Sequence, residues 1–425
     1  MSILTIVLAG GQGKSLSALT AGRGKPELPF GAKYRLIDFV LSNIAHSGLD
    51  QVAILAQRQT PSMAEHIGDG KPWGFETGLL QTWLPSLERT GHEHYIGTAD
   101  AVYQNQRYIA ELGCELVLIV SGDHIYCQDY GNLIRFHREK GASLTIATMP
   151  VPAGEVQRFG ILNVDDNKKI TWFIEKPGAA QSHQASKGIY VFETKFLLAY
   201  LEEDARTPDS THDFGRDVIA RMVETGNVYA YPFTTYWADM GTVDLYWKTN
   251  LALLGDEPVL ALHDPAWPVL TRTVQKPPTT IRPAGHVMNS LVSEGCVIDG
   301  EVMHSVLSPG VRVERGAVVR DAVILHDTVI RAGAMVCGCI LDKEVCIDAN
   351  AHIGAGGDLT PNSQEPEVLR NGITVIGKGA HIPQGLVVGR NCRIDPHVSA
   401  KDFEAMGFTP HAHIPSGTTI TRDEK

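Results

Sequence analysis

The chain has 425 residues, 43% of them apolar and 20% charged, and carries a formal net charge of −11. That length exceeds a single hydrophobic core and predicts two domains, and an acidic balance without a basic block excludes nucleic acid or an anionic membrane as the main partner. No apolar run reaches the roughly 18 residues of a membrane span, and seven cysteines without paired spacing fit reduced thiols, with Cys337 and Cys339 expected as core side chains rather than zinc ligands.

The N-terminus, MSILTIVLAGGQG, lacks a basic n-region and runs from apolar residues into a glycine turn, so it reads as a buried strand and not a signal peptide. The expected compartment is the cytoplasm. Over about the first 245 residues short apolar runs alternate with helical patterns. Strands are expected at Ile3 to Ala9, Gln51 to Ala56, Leu116 to Val120 and Leu144 to Met149, and helices at Ile37 to His46, Thr98 to Leu112 and Tyr130 to Lys140. This rhythm predicts βαβ units on a mostly parallel sheet. A proline-rich stretch around Pro265 to Pro283 reads as a stiff surface connector.

Beyond it the texture changes. Val313, Val319, Ile324, Ile330, Val336, Leu341, Ile347 and Ile353 recur at steps of 6, 5, 6, 6, 5, 6 and 6. Two residues before each stands a second column, Val311, Ala317, Ala322, Thr328, Ala334, Cys339, Val345 and Ala351, of mostly small or β-branched side chains. An aliphatic residue about every sixth position winds the chain into a triangular coil, a left-handed parallel β-helix of hexapeptide type. The stretch Gly354 to Asn371 breaks the pattern and is expected to protrude as a loop, before the repeat resumes at Ile373 to Ile394.

Several positions carry chemistry. Gly10, Gly11 and Gly13 follow a strand, where backbone N–H groups can approach phosphates, or where the chain simply turns tightly. Lys25, stiffened by Pro26, offers a cation for a triphosphate or else a solvated ammonium. In VSGDHIYCQDY an apolar run ends in Gly122 and Asp123, which puts a carboxylate where a strand of an α/β sheet opens into the ligand crevice. Asp239, in YWADMGT, is the best second carboxylate for one Mg²⁺; the alternative for Asp123 is a strand-end carboxylate satisfied by backbone donors. Glu175 and Lys176 end another strand, TWFIEKP, where a lysine can pair with a sugar phosphate and a glutamate can accept from sugar hydroxyls, or the two can form a surface ion pair. Tyr95 and Gly97 precede a helix in YIGTADAV and on chemistry alone could be an N-cap region. An in-line displacement at phosphorus needs no enzyme nucleophile.

Read together, IVLAGGQGKSL, YRLIDFVLSN, GTADAV, SGDHIYCQDY, FIEKP, KGIYVF, THDFGRDVI and YWADMGT, followed by the hexad repeat, resemble the bacterial glucose-1-phosphate adenylyltransferase family up to about Ile394. The resemblance implies an α/β nucleotidyltransferase domain with a mostly parallel, Rossmann-like sheet (residues 1–250), a linker (251–285) and a β-helix domain (286–425). It further implies that ATP and α-D-glucose 1-phosphate are converted to ADP-glucose and pyrophosphate for glycogen synthesis, with Mg²⁺, in a homotetramer or a heterotetramer with a paralogue, under a small-molecule effector. Positions matching Tyr95, Gly160, Glu175, Lys176 and Ser186 contact glucose 1-phosphate in that family; Asp123 and Asp239 match its metal ligands. The nucleotide falls to Gly10, Gly11, Gly13, Lys14, Gly97 and Asp123, with Lys25 and Asp123 as catalytic groups.

The nucleotide side departs from the family. Ser15 stands where an arginine is expected to hold pyrophosphate, and a serine has no charged fork; losing such a donor typically costs about 3–4 kcal/mol of transition-state stabilisation. Gly22, Glu27 and Ile96 also differ, Thr82 and Trp83 fall where a glutamine pair reads adenine unless Gln81 realigns, and Lys187 replaces a methionine of the sugar region. Three readings follow: the adenylyltransferase; a weakly catalytic or inactive regulatory subunit that binds glucose 1-phosphate; and an acyltransferase, a chemistry often carried on hexapeptide coils, for which His304, His326 and His352 are the available bases.

Overall fold

The computed structural model describes residues 2–11, 13–85, 94–179 and 182–422. The chain divides into two compact units, the first made of residues 1–11 and 37–237 and the second of 12–36 and 238–425.

The first unit is built on a sheet whose strands run, in spatial order, Ile170–Glu175, Gly160–Val164, Gln184–Glu193, Leu116–Ser121, Ile3–Leu8, Gln51–Leu55 and Leu80–Trp83. The Ile3–Leu8 strand pairs in parallel with Gln51–Leu55 on one side and Leu116–Ser121 on the other. These three are buried on both faces, which is why they read as continuous apolar runs without alternation. The Gln184–Glu193 strand runs antiparallel to Leu116–Ser121, to Leu144–Pro150 and to Gly160–Val164. Because the chain leaves Ile3–Leu8 towards neighbours on opposite sides, the carboxyl end of that strand is a topological switch point, where open α/β sheets place their ligands.

All four strands expected from the sequence start where expected and end within one residue of their expected limits: Ile3–Leu8 and Gln51–Leu55 stop one residue short, and Leu116–Ser121 and Leu144–Pro150 extend one residue beyond. The helix expected over Thr98 to Leu112 is instead two, Thr98–Tyr103 and Gln106–Leu112. Asn105 breaks it: its Nδ2 donates to Ala101 O at 2.9 Å, a local side-chain bond that competes with the helical ladder. The FGRDVI segment, Phe214–Ile219, is a π-helix begun by Asp213, whose carboxylate accepts from Gly215 N and Arg216 N.

The second unit carries the left-handed parallel β-helix expected from the hexad pattern, three all-parallel sheets of short strands stacked rung on rung. Every member of both columns read from the sequence, from Val311 to Ile353, is buried. The pairing of Cys339–Leu341 with Thr374–Ile376 carries the coil across the loop at 354–371 without a gap. The same unit includes the glycine-turn segment. Arg23 is buried with Nη2 at 2.7 Å from both carboxylate oxygens of Asp342, and Ser308 Oγ donates to Ala32 O at 2.6 Å. All seven cysteines are free thiols; Cys339 is core, whereas Cys337 is only half-buried. Among the described residues no helix is long and apolar enough to cross a membrane.

Candidate active site

In the first unit Gly10, Gly11 and Asp123 share the carboxyl end of the sheet. Leu8 and Ser121 are register partners, and Gly122 N donates to Leu8 O at 2.9 Å, so the chains leaving both strands start side by side. A Cβ on Gly11 would meet nothing within 4 Å among the described residues. Open space at that position fits a backbone left bare for a ligand rather than one squeezed by packing. The Asp123 carboxylate accepts a short hydrogen bond from the Ser121 hydroxyl, and His124 Nε2 lies 3.6 Å from it. His124 itself packs edge-on against Trp237, their ring centroids 4.8 Å apart.

The sugar-side residues of this unit are held by antiparallel ladders. Glu175 and Gly160 are register partners at the strand ends. An added Cβ on Gly160 would sit 2.7 Å from Glu175 Oε2 and 2.3 Å from Phe173 Cζ; one on Gly215 would sit 2.4 Å from the same Glu175 oxygen. Two glycines thus make room for one carboxylate. Burial raises the Glu175 pKa above the ordinary carboxylate value, against the opposing charge of Lys176, whose Nζ is 3.4 Å away; Asp213 raises it further. Lys176 sits at φ +48, in the left-handed region that an L-residue enters at a cost of about 1–3 kcal/mol, and its N–H donates to Phe159 O at 3.0 Å. Ser186 opens a register slip in its strand, with Oγ 3.2 Å from Tyr190 Oη and accepting from Gly188 N at 3.2 Å.

Tyr95 and Gly97 are also fixed by packing. The Tyr95 hydroxyl donates to Trp83 O and accepts from Asn105 Nδ2, each at 3.2 Å, while Gln57 brackets its main chain with bonds of 2.7 and 3.0 Å. At Gly97 a Cβ would lie 2.1 Å from His212 O, so the close approach of the 211–212 backbone alone demands glycine. Asp213 and Gly215 are the neighbours of Glu175 that the sequence reading missed. Their motif, THDFGRDVI, was legible, but nothing in it announced a π-helix.

In the second unit the glycine turn is Gly13 followed by the 3₁₀ segment Lys14–Thr20. Gly13 has φ +63, and a Cβ there would stand 2.8 Å from Thr20 Cγ2, whose hydroxyl donates to Gly13 O at 2.8 Å. Lys14 is exposed and Ser15 half-exposed. Further on, Glu27 accepts from Gly24 N at 2.7 Å, so the residue that departs from the family closes the Lys25 turn as a cap. Lys25 and Asp239, more than 200 positions apart in sequence, are paired: Nζ to Oδ1 is 2.9 Å, and both side chains are largely buried. Beside them Gly241 leaves room for the carboxylate, since a Cβ there would lie 2.7 Å from Asp239 Oδ2.

Elsewhere in the β-helix, Cys346, Asp348 and His381 bring ligand-type atoms within 4.8 Å of one another. Asp348, however, takes Arg331 Nε at 3.1 Å and His381 Nε2 at 2.8 Å, and this surface ion-pair ladder satisfies the carboxylate. His326 and His352, bases the acyltransferase reading needed, are both pushed down in pKa by burial.

Residues 4–255 match the family model described as nucleotidyl transferase, and residues 277–376 match the GlmU-like C-terminal hexapeptide model. The chain is therefore a nucleotidyltransferase by class. It is 46% identical over 422 residues to the glucose-1-phosphate adenylyltransferase of Thermomicrobium roseum, covering 98% of this chain and 97% of that one. Similar matches are the enzymes of that name from Acetivibrio thermocellus, 40% identical with 96% of each chain covered, and Thermotoga maritima, 42% identical with 95% and 96% covered. The chain belongs to the glucose-1-phosphate adenylyltransferase family.

Proposed function

We propose that the protein transfers the adenylyl group of ATP to α-D-glucose 1-phosphate, forming ADP-glucose and releasing pyrophosphate. The observation that carries this reading is the match along nearly the whole chain, glycine turn, sheet and β-helix alike, to enzymes named for that reaction. No described feature favours the inactive subunit. In the reaction a phosphate oxygen of glucose 1-phosphate attacks the α-phosphorus; one P–O bond forms as the bond to pyrophosphate breaks, in line and without an enzyme nucleophile.

Within this proposal Glu175 accepts from glucose hydroxyls and Lys176 pairs with the sugar phosphate, with Gly160 and Ser186 shaping the same strand ends. Tyr95 is assigned to glucose 1-phosphate and Gly97 to the nucleotide, with the Tyr95 phenol held by Trp83 O and Asn105 Nδ2. Gly10, Gly11, Gly13 and Lys14 face the nucleotide phosphates, and Lys25 supplies the cation for the triphosphate. Asp123 and Asp239 are hard oxygen donors at strand ends, the donor chemistry that Mg²⁺ takes, and are assigned to hold it. When bound, the ion neutralises phosphate charge and aligns the displacement. The Lys25–Asp239 ion pair supports this role, since Lys25 would exchange that carboxylate for phosphate oxygens as nucleotide enters.

The proposal is tested by pyrophosphate release from the purified protein with Mg²⁺ and glucose 1-phosphate, comparing ATP with UTP, dTTP and GTP. Turnover with ATP alone is expected; equal rates with UTP would remove the adenylyl assignment, and silence with every nucleotide would remove the activity. A cytoplasmic role in glycogen synthesis, a tetramer and a small-molecule effector belong to the same proposal. Sedimentation of the purified chain at micromolar concentration checks the tetramer, and a monomer there would remove it.

A further inference from the structure

Ser17 lies in the middle of the glycine turn at φ 54, ψ −138, a conformation that glycine adopts freely and other residues do not. Its hydroxyl donates to Glu365 Oε2 at 2.5 Å, 348 positions along the chain. Glu365 belongs to the loop that interrupts the hexad pattern. That loop is unnecessary for closing the coil, because the rungs on either side of it, Cys339–Leu341 and Thr374–Ile376, pair directly. The carboxylate it presents is nevertheless fixed from behind. Arg393 Nη1 donates to Glu365 Oε1 at 2.7 Å, and Arg393 Nε is bonded in turn to Asp395 Oδ1 at 2.6 Å. The Glu365 main chain is pinned as well: its N–H donates to Oδ1 of Asn362 at 3.0 Å, and the wholly buried Asn362 donates to Asn391 O at 3.1 Å.

These contacts form one line from the frame of the β-helix to the turn that carries Lys14: Asp395, Arg393, Glu365, Ser17. We propose that Glu365 is a positioning residue for the nucleotide: through Ser17 it holds the Lys14–Thr20 turn in the conformation that receives the phosphates of ATP. This rests on the assignment of Gly13 and Lys14 to the nucleotide. The physical argument is that a backbone held at a costly φ/ψ persists only when its surroundings over-determine it. Here a charge-assisted bond to a clamped carboxylate does so. The sugar-side residues, held by main-chain ladders in the other unit, have no share in the line.

The test uses the full-length protein and five forms: wild type, Glu365→Gln, Ser17→Ala, the double variant of these two, and Ser17→Gly. Glu365→Gln and Ser17→Ala are expected to raise KM for ATP about tenfold while KM for glucose 1-phosphate stays within about twofold, and the double variant to be no worse than the worse single, as for two halves of one contact. Ser17→Gly removes the hydroxyl and relieves the backbone; it is expected to raise KM for ATP without lowering Tm, a split that a merely structural contact does not produce. A wild-type KM for ATP in Glu365→Gln or Ser17→Gly overturns the proposal, as does a parallel rise of both KM values in step with a falling Tm. ATP binding by calorimetry on the same five proteins distinguishes failure of the activity from failure of the Glu365 line. If wild type binds ATP but makes no ADP-glucose, the activity fails while the ordering of affinities still decides the Glu365 line; if wild type does not bind ATP, both fall.

Discussion

The sugar-side residues and the glycine turn solve the same problem, holding a polar group still at a chain reversal, by different means. Glu175 and Ser186 stand on strands whose main-chain ladders fix them, Lys176 follows the first with its N–H on Phe159 O, and Gly160 and Gly215 leave a slot of one carboxylate's size. The Gly13–Thr20 turn belongs to no strand ladder: Leu16 and Leu19 anchor it by burial, Leu16 N donates to Gly13 O at 2.8 Å, and its polar fixings are side chains, Thr20 on Gly13 O and Ser17 on Glu365. A ladder sums many weak bonds and changes little when one side chain is replaced, whereas a turn fixed by single side-chain bonds is adjustable by single substitutions. Of the departures from the family, Ser15 falls in this turn and Gly22 and Glu27 follow it, whereas Lys187 falls on the ladder side.

The largest effect that can break this comparison is expected at Asp123, which lies just beyond the ladder strand Leu116–Ser121 yet is assigned to the metal. Asp123→Asn is expected to lower Mg²⁺-dependent turnover about 10³-fold, several kcal/mol of charge stabilisation, with an unchanged circular dichroism spectrum. Turnover near wild type across a Mg²⁺ titration would take Asp123 out of the site. Next comes Lys25→Ala, expected to lower kcat/KM for ATP about 10²- to 10³-fold, the usual loss for one charge-stabilising donor. Because Lys25 is paired with Asp239 in the same unit, Lys25→Arg should recover only part of this, a flat fork replacing a point charge. Full recovery would reduce Lys25 to a generic cation.

Glu175→Gln sharpens the ladder side. It is expected to raise KM for glucose 1-phosphate about tenfold, the scale of one hydrogen bond to a charged group, with KM for ATP unchanged. The pH profile carries a second signature. Burial raises the Glu175 pKa, so in the free enzyme the carboxylate is lost as pH falls at a higher pH than an ordinary glutamate would require. The acid limb of kcat/KM for glucose 1-phosphate should therefore lie above that of an ordinary glutamate and move in Glu175→Gln. An acid limb identical in both proteins would assign it to another group.

How much of this was readable in advance depended on the range of the forces involved. The β-helix columns from Val311 to Ile353 were legible because each rung repeats the same local demand, an aliphatic side chain into a narrow core, and the sequence prints that demand at every turn. Strand ends at Gly10 and Asp123 were legible because an apolar run stopped. The inclusion of 12–36 with the β-helix was not, since it rests on pairs such as Arg23 with Asp342 that only the folded chain brings together. Nor could composition reveal that Gly97 is glycine because of the His212 carbonyl, or that Asn105 would split a helix by bonding back to Ala101.

The smallest effect, at Lys187, tests whether the ladder side is as tolerant as claimed. Lys187 sits in the register slip after Ser186, almost wholly buried, with Nζ 3.4 Å from Thr235 O and 4.1 Å above the centre of the Phe233 ring. Burial lowers its pKa to about 7. A lysine with a lowered folded pKa binds fewer protons in the native state than in the unfolded chain between that value and about 10.5. The native state therefore suffers the full cost of a buried charge below pH 7, and that cost fades as pH rises towards 10.5. Lys187→Met, which keeps the length and drops the charge, is expected to stabilise the protein by about 1–2 kcal/mol at pH 6. The gain should shrink by pH 9, and both KM values should stay within about twofold, because the ladder on either side of the slip keeps Ser186 where it is. A gain independent of pH would assign the effect to packing alone, and a raised KM for glucose 1-phosphate would show that the strand side depends on a single side chain after all.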